Sequence, residues 1–126
     1  EITTRLVGSE MCIRDSDYYS GMQVLVPLDL KLAGTSAEAV AAGIADYYKE
    51  GAAVSVHALN EPLPENGLYS NALSGSDRME LYMTVNAAGD QMMLVSLFDN
   101  LGKGSSGAAI QCMNLMLGMN ETEGLE

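Results

Sequence analysis

The chain has 126 residues, of which 48% are hydrophobic, a length that fits one domain but not a nucleotide-binding domain together with a catalytic one. Its formal net charge of -11, with only six Lys and Arg residues, argues against a nucleic-acid partner, because phosphate binding needs clustered cations. The apolar runs are far shorter than the roughly 20 residues of a membrane span. We therefore expect a cytoplasmic protein without a membrane partner.

The first sixteen residues do not read as protein structure. Residues 6–16, LVGSEMCIRDS, sustain neither a two-residue nor a 3.6-residue period of hydrophobicity. A DNA string that resembles the end of a widely used transposase sequencing adapter translates to this segment, up to the first two bases of the Ser16 codon. We expect residues 1–16 to be adapter-derived and the natural protein to extend further upstream, with a genuine N-terminal arm as the alternative.

The next segment predicts a strand followed by a helix. Residues 21–30, GMQVLVPLDL, are apolar on both alternating faces, which indicates a largely buried strand with Pro27 marking an edge or an end. Thr35 and Glu38 have the spacing of a capping box, and Gly51 stands where a helix would end. An amphipathic helix is predicted over about 36–50, with Val40, Ile44, Tyr47 and Tyr48 on its apolar face.

Three further strands are predicted after this helix. Residues 53–59, AVSVHAL, read as a short strand, and residues 60–67 as a loop with two prolines. Two strands then flank the turn NAAGD at 86–90. In the first of them apolar residues alternate with Glu80, Tyr82 and Thr84, so we expect one face of that strand to contact solvent.

The last predicted element is a helix over about 105–117. Ser106, Ile110, Met113 and Leu117 recur on one face, and Gly118 marks the end. The polar tail 120–126 is expected to be loosely ordered. The order of elements predicts an α+β fold, a mostly antiparallel sheet with helices on one face.

The glycine-rich turn 99–107, DNLGKGSSG, lies between the last predicted strand and the last helix. Backbone N–H groups and the dipole at a helix N-terminus favour an anion, and Gly102, Gly104 and Gly107 would allow a ligand to approach closely. The spacing is not that of a P-loop, and no βαβ unit accompanies the letters G-x-G-x-x-G. On this pattern an anion site and a plain connecting turn remain equally open.

Cysteine and histidine, two residue types that often carry chemistry, are sparse here. Cys12 and Cys112 fit neither a disulfide framework nor a zinc site, and His57 stands alone, so no metal site is expected. Cys12 falls in the segment expected to be adapter-derived. Cys112 is expected to be a small buried hydrophobic residue.

Several segments resemble one enzyme family. Residues 95–125, VSLFDNLGKGSSGAAIQCMNLMLGMNETEGL, closely resemble the C-terminal signature of N-acetyl-gamma-glutamyl-phosphate reductases of arginine biosynthesis. SGMQVLVPLDL, YYKEGAAVSV and SGSDRMELYMTV are similar to further segments of that family, so the resemblance covers residues 17–126. Asp77 stands where the family more usually has asparagine. The alternatives are an aspartate-semialdehyde dehydrogenase or aminoadipyl-phosphate reductase fragment, or a free-standing α+β anion-binding or dimerisation module.

The resemblance implies a reductase built like glyceraldehyde-phosphate dehydrogenases, with an NADP-binding domain and an α+β catalytic and dimerisation domain. Such an enzyme reduces a small acyl-phosphate substrate to a semialdehyde, using a nucleophilic cysteine and an acid/base histidine. Both residues would lie upstream, so this chain would hold no catalytic residue and be inactive alone. The resemblance also implies that His57 is a packed or surface histidine rather than a functional one. The intact enzyme would be a homo-oligomer.

The resemblance also implies roles for the turn. Asn100 and the backbone at Gly102 and Gly104 would lie beside the nicotinamide end of NADP, whereas Lys103 and Gln111 would fix the turn or a domain contact. The helix at 105–117 would return to the missing NADP domain. The alternative is that these residues only hold the helix against its neighbour.

Overall fold

The computed structural model describes residues 18–65 and 67–125, so the expected adapter-derived segment 1–16, with Cys12, lies outside the described residues. Within these ranges the chain forms a four-stranded sheet with three helices, which confirms the α+β prediction. The strands are β1 (Met22–Asp29), β2 (Val54–Leu59), β3 (Met79–Val85) and β4 (Gln91–Phe98). The helices are α1 (Leu30–Ala33), α2 (Ala37–Tyr48) and α3 (Gly107–Met116), and a π-helical turn, Gly102–Ser106, leads into α3.

The sheet has the strand order β1-β4-β3-β2. β4 is antiparallel to both β1 and β3, whereas β2 is parallel to β3, so the sheet is mostly antiparallel as predicted. The β3–β4 hairpin turns at the predicted NAAGD segment. There the Asn86 side-chain oxygen accepts hydrogen bonds from the N–H groups of Asp90 and Gln91, at 3.0 and 3.2 Å. No helix in the described ranges has the length and apolar composition needed to cross a membrane.

Both faces of the central strands are covered. On one face Met83 and Met92, each 2% exposed, pack with α2, whose Val40 and Ile44 point inward as predicted. On the other face Tyr82, only 6% exposed, packs with partly buried side chains that include Leu68 and Leu73 from the connection between β2 and β3. The prediction of a solvent-facing side on β3 is therefore wrong, because that connection folds back over the sheet.

β1 differs from its prediction in its burial. It is an edge strand, as Pro27 indicated, but it is mostly exposed rather than largely buried. Val24, Leu25 and Val26 are 37%, 54% and 45% exposed. α2 packs mainly against β2 at the opposite edge, so it leaves this side of the sheet uncovered.

The ends of α2 lie close to the predicted ones. The N-cap is Ser36 rather than Thr35, since the Ser36 hydroxyl accepts a hydrogen bond from the Ala39 N–H at 3.2 Å. The helix ends at Tyr48, two residues early, and the Gly51 N–H donates to the Tyr48 carbonyl at 2.9 Å. Tyr47, placed on the apolar face by periodicity, is 80% exposed.

α3 and the segment after it pack more closely than the sequence indicated. α3 ends before Gly118, whose φ of 67° confirms the predicted stop. The tail was predicted to be loosely ordered, which is wrong for its described part. Asn114, 2% exposed, donates from Nδ2 to the carbonyls of Glu121 and Glu123 at 3.2 and 2.9 Å. Cys112, expected to be buried, is exposed because it lies on the outer side of α3.

Candidate functional site

Asp99, the residue directly after β4, organises the glycine-rich turn. It is 2% exposed, and its carboxylate accepts hydrogen bonds from three separate parts of the chain. The donors are the Gly75 N–H at 2.5 Å, the Ser20 hydroxyl at 2.8 Å and the Leu101 N–H at 2.8 Å. A buried carboxylate is stable only when it is saturated with donors in this way. The ionised Asp99 side chain thus joins the turn to the segments that contain Gly75 and Ser20.

The pKa of Asp99 reflects two opposing effects. Burial raises it, whereas hydrogen bonds from the N–H groups of Gly75 and Leu101, the Ser20 hydroxyl and the Gly102 N–H lower it. The hydrogen bonds prevail, and the pKa lies below its ordinary value. Asp99 is therefore a structural anion, and at neutral pH it does not act as a proton donor.

Asn100, the first predicted cofactor-binding residue, follows directly. Its side-chain oxygen accepts a hydrogen bond from the Gly21 N–H at 2.8 Å, which orients the amide between the turn and the start of β1. In residues 18–65 and 67–125 no acceptor meets its Nδ2 group, and Asn100 is only partly buried. An oriented amide donor is the kind of group that binds a carbonyl or carboxamide oxygen.

The glycines of the turn are required by close packing within the chain. A Cβ atom at Gly102 would lie 2.6 Å from the Ser76 carbonyl oxygen, and one at Gly104 would lie 3.0 Å from the Phe98 ring. The Gly104 N–H donates to the Asp99 carbonyl at 2.8 Å. Gly102 and Gly104 therefore allow the turn to lie against its own neighbours, and this packing explains both glycines without a ligand.

A carboxylate of the chain itself lies at the start of α3. A Cβ atom at Gly107 would be 2.0 Å from Oδ1 of Asp77, so this position tolerates only glycine while the Asp77 side chain keeps its place. The N-terminus of a helix favours negative charge. The sequence left an anion site and a plain connecting turn open here, and the Asp77 carboxylate is an internal counterpart of such an anion.

Lys103 and Gln111 fix the turn to the rest of the domain. The Lys103 ammonium donates to Oε1 of Gln111, and Nε2 of Gln111 donates to the Glu121 carboxylate at 3.2 Å. Glu121 also accepts a hydrogen bond from the Ala52 N–H at 2.8 Å, just before β2. This relay connects the turn, α3, the C-terminal segment and the sheet, in keeping with the structural role expected for Lys103 and Gln111.

His57 belongs to a different cluster. Its ring stacks on Tyr82 with a centroid distance of 3.9 Å, and its Nδ1 lies 3.0 Å from Glu61 Oε1. Its Nε2 lies 3.6 Å from Glu80 Oε2, which also accepts a hydrogen bond from the Tyr82 hydroxyl at 2.7 Å. None of these partners belongs to the turn, so the structure does not bring His57 together with Asn100.

Two further observations concern metal and ligand binding by the described residues. No group of three or more His, Cys, Asp and Glu side chains in the described ranges is arranged to hold a metal ion. A groove of about 500 Å³, lined by Pro27, Thr84, Gln91 and Met93 among others, lies at the hairpin end of the sheet. It is at the opposite end of β4 from the turn, and none of the predicted site residues lines it.

Two residues of this site escaped the sequence interpretation. Asp99 could have been found from the sequence, because an aspartate at the start of a turn commonly accepts a hydrogen bond from the N–H two residues ahead. Asp99 forms such an Asx-turn with Leu101. Glu121 could not have been found in this way, because its partners at Ala52 and Gln111 come from other elements.

Several curated proteins that share one name are similar to this chain in sequence. No protein-family model matches the chain. N-acetyl-gamma-glutamyl-phosphate reductase from Burkholderia orbicola (strain MC0-3) is 40% identical over 103 residues, 80% of this chain and 33% of the relative. The enzyme of that name from Rhizobium meliloti (strain 1021) is 40% identical over 102 residues, 79% of this chain and 33% of the relative.

A relative of the same name, from Trichormus variabilis (strain ATCC 29413 / PCC 7937), is 36% identical over 114 residues, 86% of this chain and 35% of the relative. The chain thus spans about a third of the length of the curated relatives it matches.

Proposed function

We propose that residues 17–126 are the C-terminal part of an N-acetyl-gamma-glutamyl-phosphate reductase, as the sequence motifs indicated. The chain is homologous to enzymes of that name over about a third of their length. The observation that carries the proposal is 40% identity over 103 residues, which includes most of the chain. In this proposal the intact enzyme reduces an acyl phosphate to a semialdehyde with NADPH. The catalytic cysteine and histidine belong to the part of the enzyme that this chain does not include.

The described residues would then contribute one wall of the coenzyme site. NADPH, when bound, supplies the hydride for the reduction. Asn100 has the best-fitting group, since its Nδ2 donor is oriented by the Gly21 N–H and meets no acceptor in the described ranges. The carboxamide oxygen of a nicotinamide is a suitable acceptor for it.

Gly102 and Gly104 would contribute through their backbone. Their N–H groups already bond Asp99, so we propose that they shape the turn and bring it next to the nucleotide instead of donating to it. The exposed apolar side chains of α3 and of its C-terminal cap, including Met113 and Leu117, would pack on the NADP domain. The intact enzyme would form a homo-oligomer, and this chain alone would lack reductase activity.

A hybrid enzyme tests this proposal. Residues 18–125 would replace the homologous third of the Burkholderia orbicola reductase, and NADPH oxidation would be followed with the acyl-phosphate substrate. We expect activity in the hybrid, and we expect Asn100→Ala to raise the KM for NADPH by about tenfold through loss of one oriented hydrogen bond. The KM for the acyl phosphate should change little.

The matched control is Asn71→Ala, which removes an exposed amide side chain outside the turn. This variant should leave both KM values unchanged. A folded hybrid without activity would overturn the proposed function, and an unchanged KM for NADPH in Asn100→Ala would overturn the role of Asn100.

A further inference from the structure

We propose that Glu121 is a positioning residue that holds the glycine-rich turn in its conformation through the side chain of Gln111 on α3. It lies in the C-terminal segment and reaches the turn through Gln111 and Lys103. The link from the turn to a nucleotide rests on the proposed function, whereas the link from Glu121 to the turn rests on the hydrogen bonds alone.

Each oxygen of the Glu121 carboxylate has a separate partner. Oε1 accepts from the Ala52 N–H at 2.8 Å, and Oε2 accepts from Nε2 of Gln111 at 3.2 Å. The backbone of Glu121 is itself held, because Asn114, a buried residue of α3, donates to its carbonyl at 3.2 Å. The carboxylate therefore lies at a fixed point between the sheet and α3.

The charges at the two ends of the relay orient the Gln111 amide. Hydrogen bonds from the Ala52 N–H and the Gln111 amide lower the pKa of Glu121, and the Lys103 charge lowers it further against the opposing effect of burial. The Gln111 oxygen can only accept and its NH₂ can only donate. With a cation at Lys103 and an anion at Glu121, one orientation of the amide satisfies both neighbours.

This arrangement makes Glu121→Gln a sharp test. If the new amide keeps its oxygen toward Ala52, its NH₂ group faces the NH₂ group of Gln111. If the new amide flips, its NH₂ group faces the Ala52 N–H, and if Gln111 flips, two donors meet at Lys103. No combination of orientations satisfies every donor, so the variant must break one link of the relay.

Lys103→Gln removes this conflict. A glutamine at 103 can present its oxygen to a flipped Gln111, whose own oxygen then accepts from the glutamine at 121. The double variant K103Q/E121Q can therefore satisfy the whole chain of hydrogen bonds, although Glu121→Gln alone cannot. Simple loss of packing at position 121 would not be repaired in this way.

The experiment uses the full 126-residue chain and measures amide hydrogen exchange by NMR at Gly102, Lys103 and Gly104. We expect Glu121→Gln to accelerate exchange at these amides about tenfold, since one hydrogen bond to a charged group is lost. In K103Q/E121Q the rates should return to within about threefold of those in Lys103→Gln alone. Amides of the central strands, such as those of Tyr82 and Val95, report whether the effect is local.

Glu123→Gln is the matched control, because it makes the same change two residues away at an exposed side chain. Its exchange rates should equal those of the parent chain. Unchanged rates in Glu121→Gln, or equal acceleration in Glu121→Gln and the double variant, would overturn the positioning role. If Glu121→Gln does not fold, a folded spectrum for K103Q/E121Q supports the relay, and failure of both to fold overturns it.

The hybrid reductase separates this inference from the proposed function. There Glu121→Gln should raise the KM for NADPH without raising that for the acyl phosphate, and Lys103→Gln should partly restore it. A turn that loosens in the isolated chain while the KM for NADPH stays constant would leave the positioning role intact. That result would overturn the proposed place of the turn beside the nucleotide.

Discussion

The carboxylate of Asp99 accepts a hydrogen bond from the Gly75 N–H at 2.5 Å, and this contact joins the end of β4 to a loop 24 residues upstream. A second donor to the same carboxylate, the Ser20 hydroxyl, is 79 residues away in sequence. The turn that follows β4 is therefore held by a long-range polar contact as well as by its own backbone. The consequences for stability can be measured directly.

We predict that Asp99→Asn destabilises the chain by roughly 2–4 kcal/mol, because hydrogen bonds to a charged group contribute about 1.5–3 kcal/mol each and the new NH₂ group faces a donor. Urea unfolding followed by circular dichroism measures the change. Asp46→Asn is the control, since Asp46 is exposed and pairs with Lys49 at the C-terminal end of α2. A loss of unfolding free energy no larger than that of the control would contradict the stabilising role of the buried Asp99 carboxylate.

The pH dependence of stability should carry the same signature. Hydrogen bonds lower the pKa of Asp99 in the folded chain, so its contribution is fully present above the unfolded pKa of about 3.9 and is lost as the pH falls through the folded value. Between pH 7 and pH 2 the parent chain should lose more stability than Asp99→Asn does. Parallel pH profiles for the two proteins would show that Asp99 has the same pKa in both states.

Alanine substitutions at two glycines, one in the turn and one in α2, should change stability in opposite directions. Gly102→Ala should destabilise the chain by about 1–3 kcal/mol, the usual cost of overpacking, because its Cβ would meet the Ser76 carbonyl oxygen at 2.6 Å. Gly43→Ala should instead stabilise it by about 0.5–1 kcal/mol, since Gly43 lies inside α2 with no neighbour within 4 Å of the new Cβ. Thermal unfolding of both variants checks this, and a tolerated alanine at position 102 would contradict the close approach.

Local patterns predicted the elements well, whereas long-range packing determined what they missed. Capping and periodicity located α2, and the NAAGD segment located the β3–β4 turn. The burial of Tyr82 escaped prediction because the side chains over it, Leu68 and Leu73, come from a connection with no periodic pattern. The exposure of β1 was not predicted, because an apolar sequence indicates a buried strand and does not show whether another element covers that strand.

In the candidate site, too, the sequence identified the residues that are close together along the chain and missed those with long-range partners. The sequence located the turn, and the family resemblance implied that Lys103 and Gln111 fix it, a role with which their hydrogen bond agrees. It could not identify Glu121, whose partners are set by the tertiary fold. The placement of Asn100 beside a nicotinamide stays a prediction.

Tyr82 should ionise at unusually high pH. Burial raises the pKa of Tyr82 to about 12, and the hydrogen bond to Glu80 and the negative charges of Glu80 and Glu61 act in the same direction. A raised pKa stabilises the folded chain below the unfolded value of about 10, and that contribution is lost as the pH rises from there to the folded value. Ultraviolet titration of the parent chain and of Tyr82→Phe isolates this residue from exposed tyrosines such as Tyr19. Glu80→Gln should lower the pKa of Tyr82, and an unchanged titration curve in that variant would contradict the contact.

The exposed apolar end of α3 should make the isolated chain associate. Met116 is 87% exposed and Leu117 is 65% exposed, and contiguous apolar surface of this kind commonly marks a contact surface. We predict concentration-dependent association in sedimentation velocity, and we expect Met116→Lys to weaken it by about fivefold or more, because full burial of a methionine contributes about 1.5–3 kcal/mol. Leu32→Lys is the matched control, since it makes the same charge change at an 88% exposed leucine of α1. A chain that stays monomeric at all concentrations would contradict the prediction, and equal weakening by both variants would show that net charge, rather than this end of α3, controls the association.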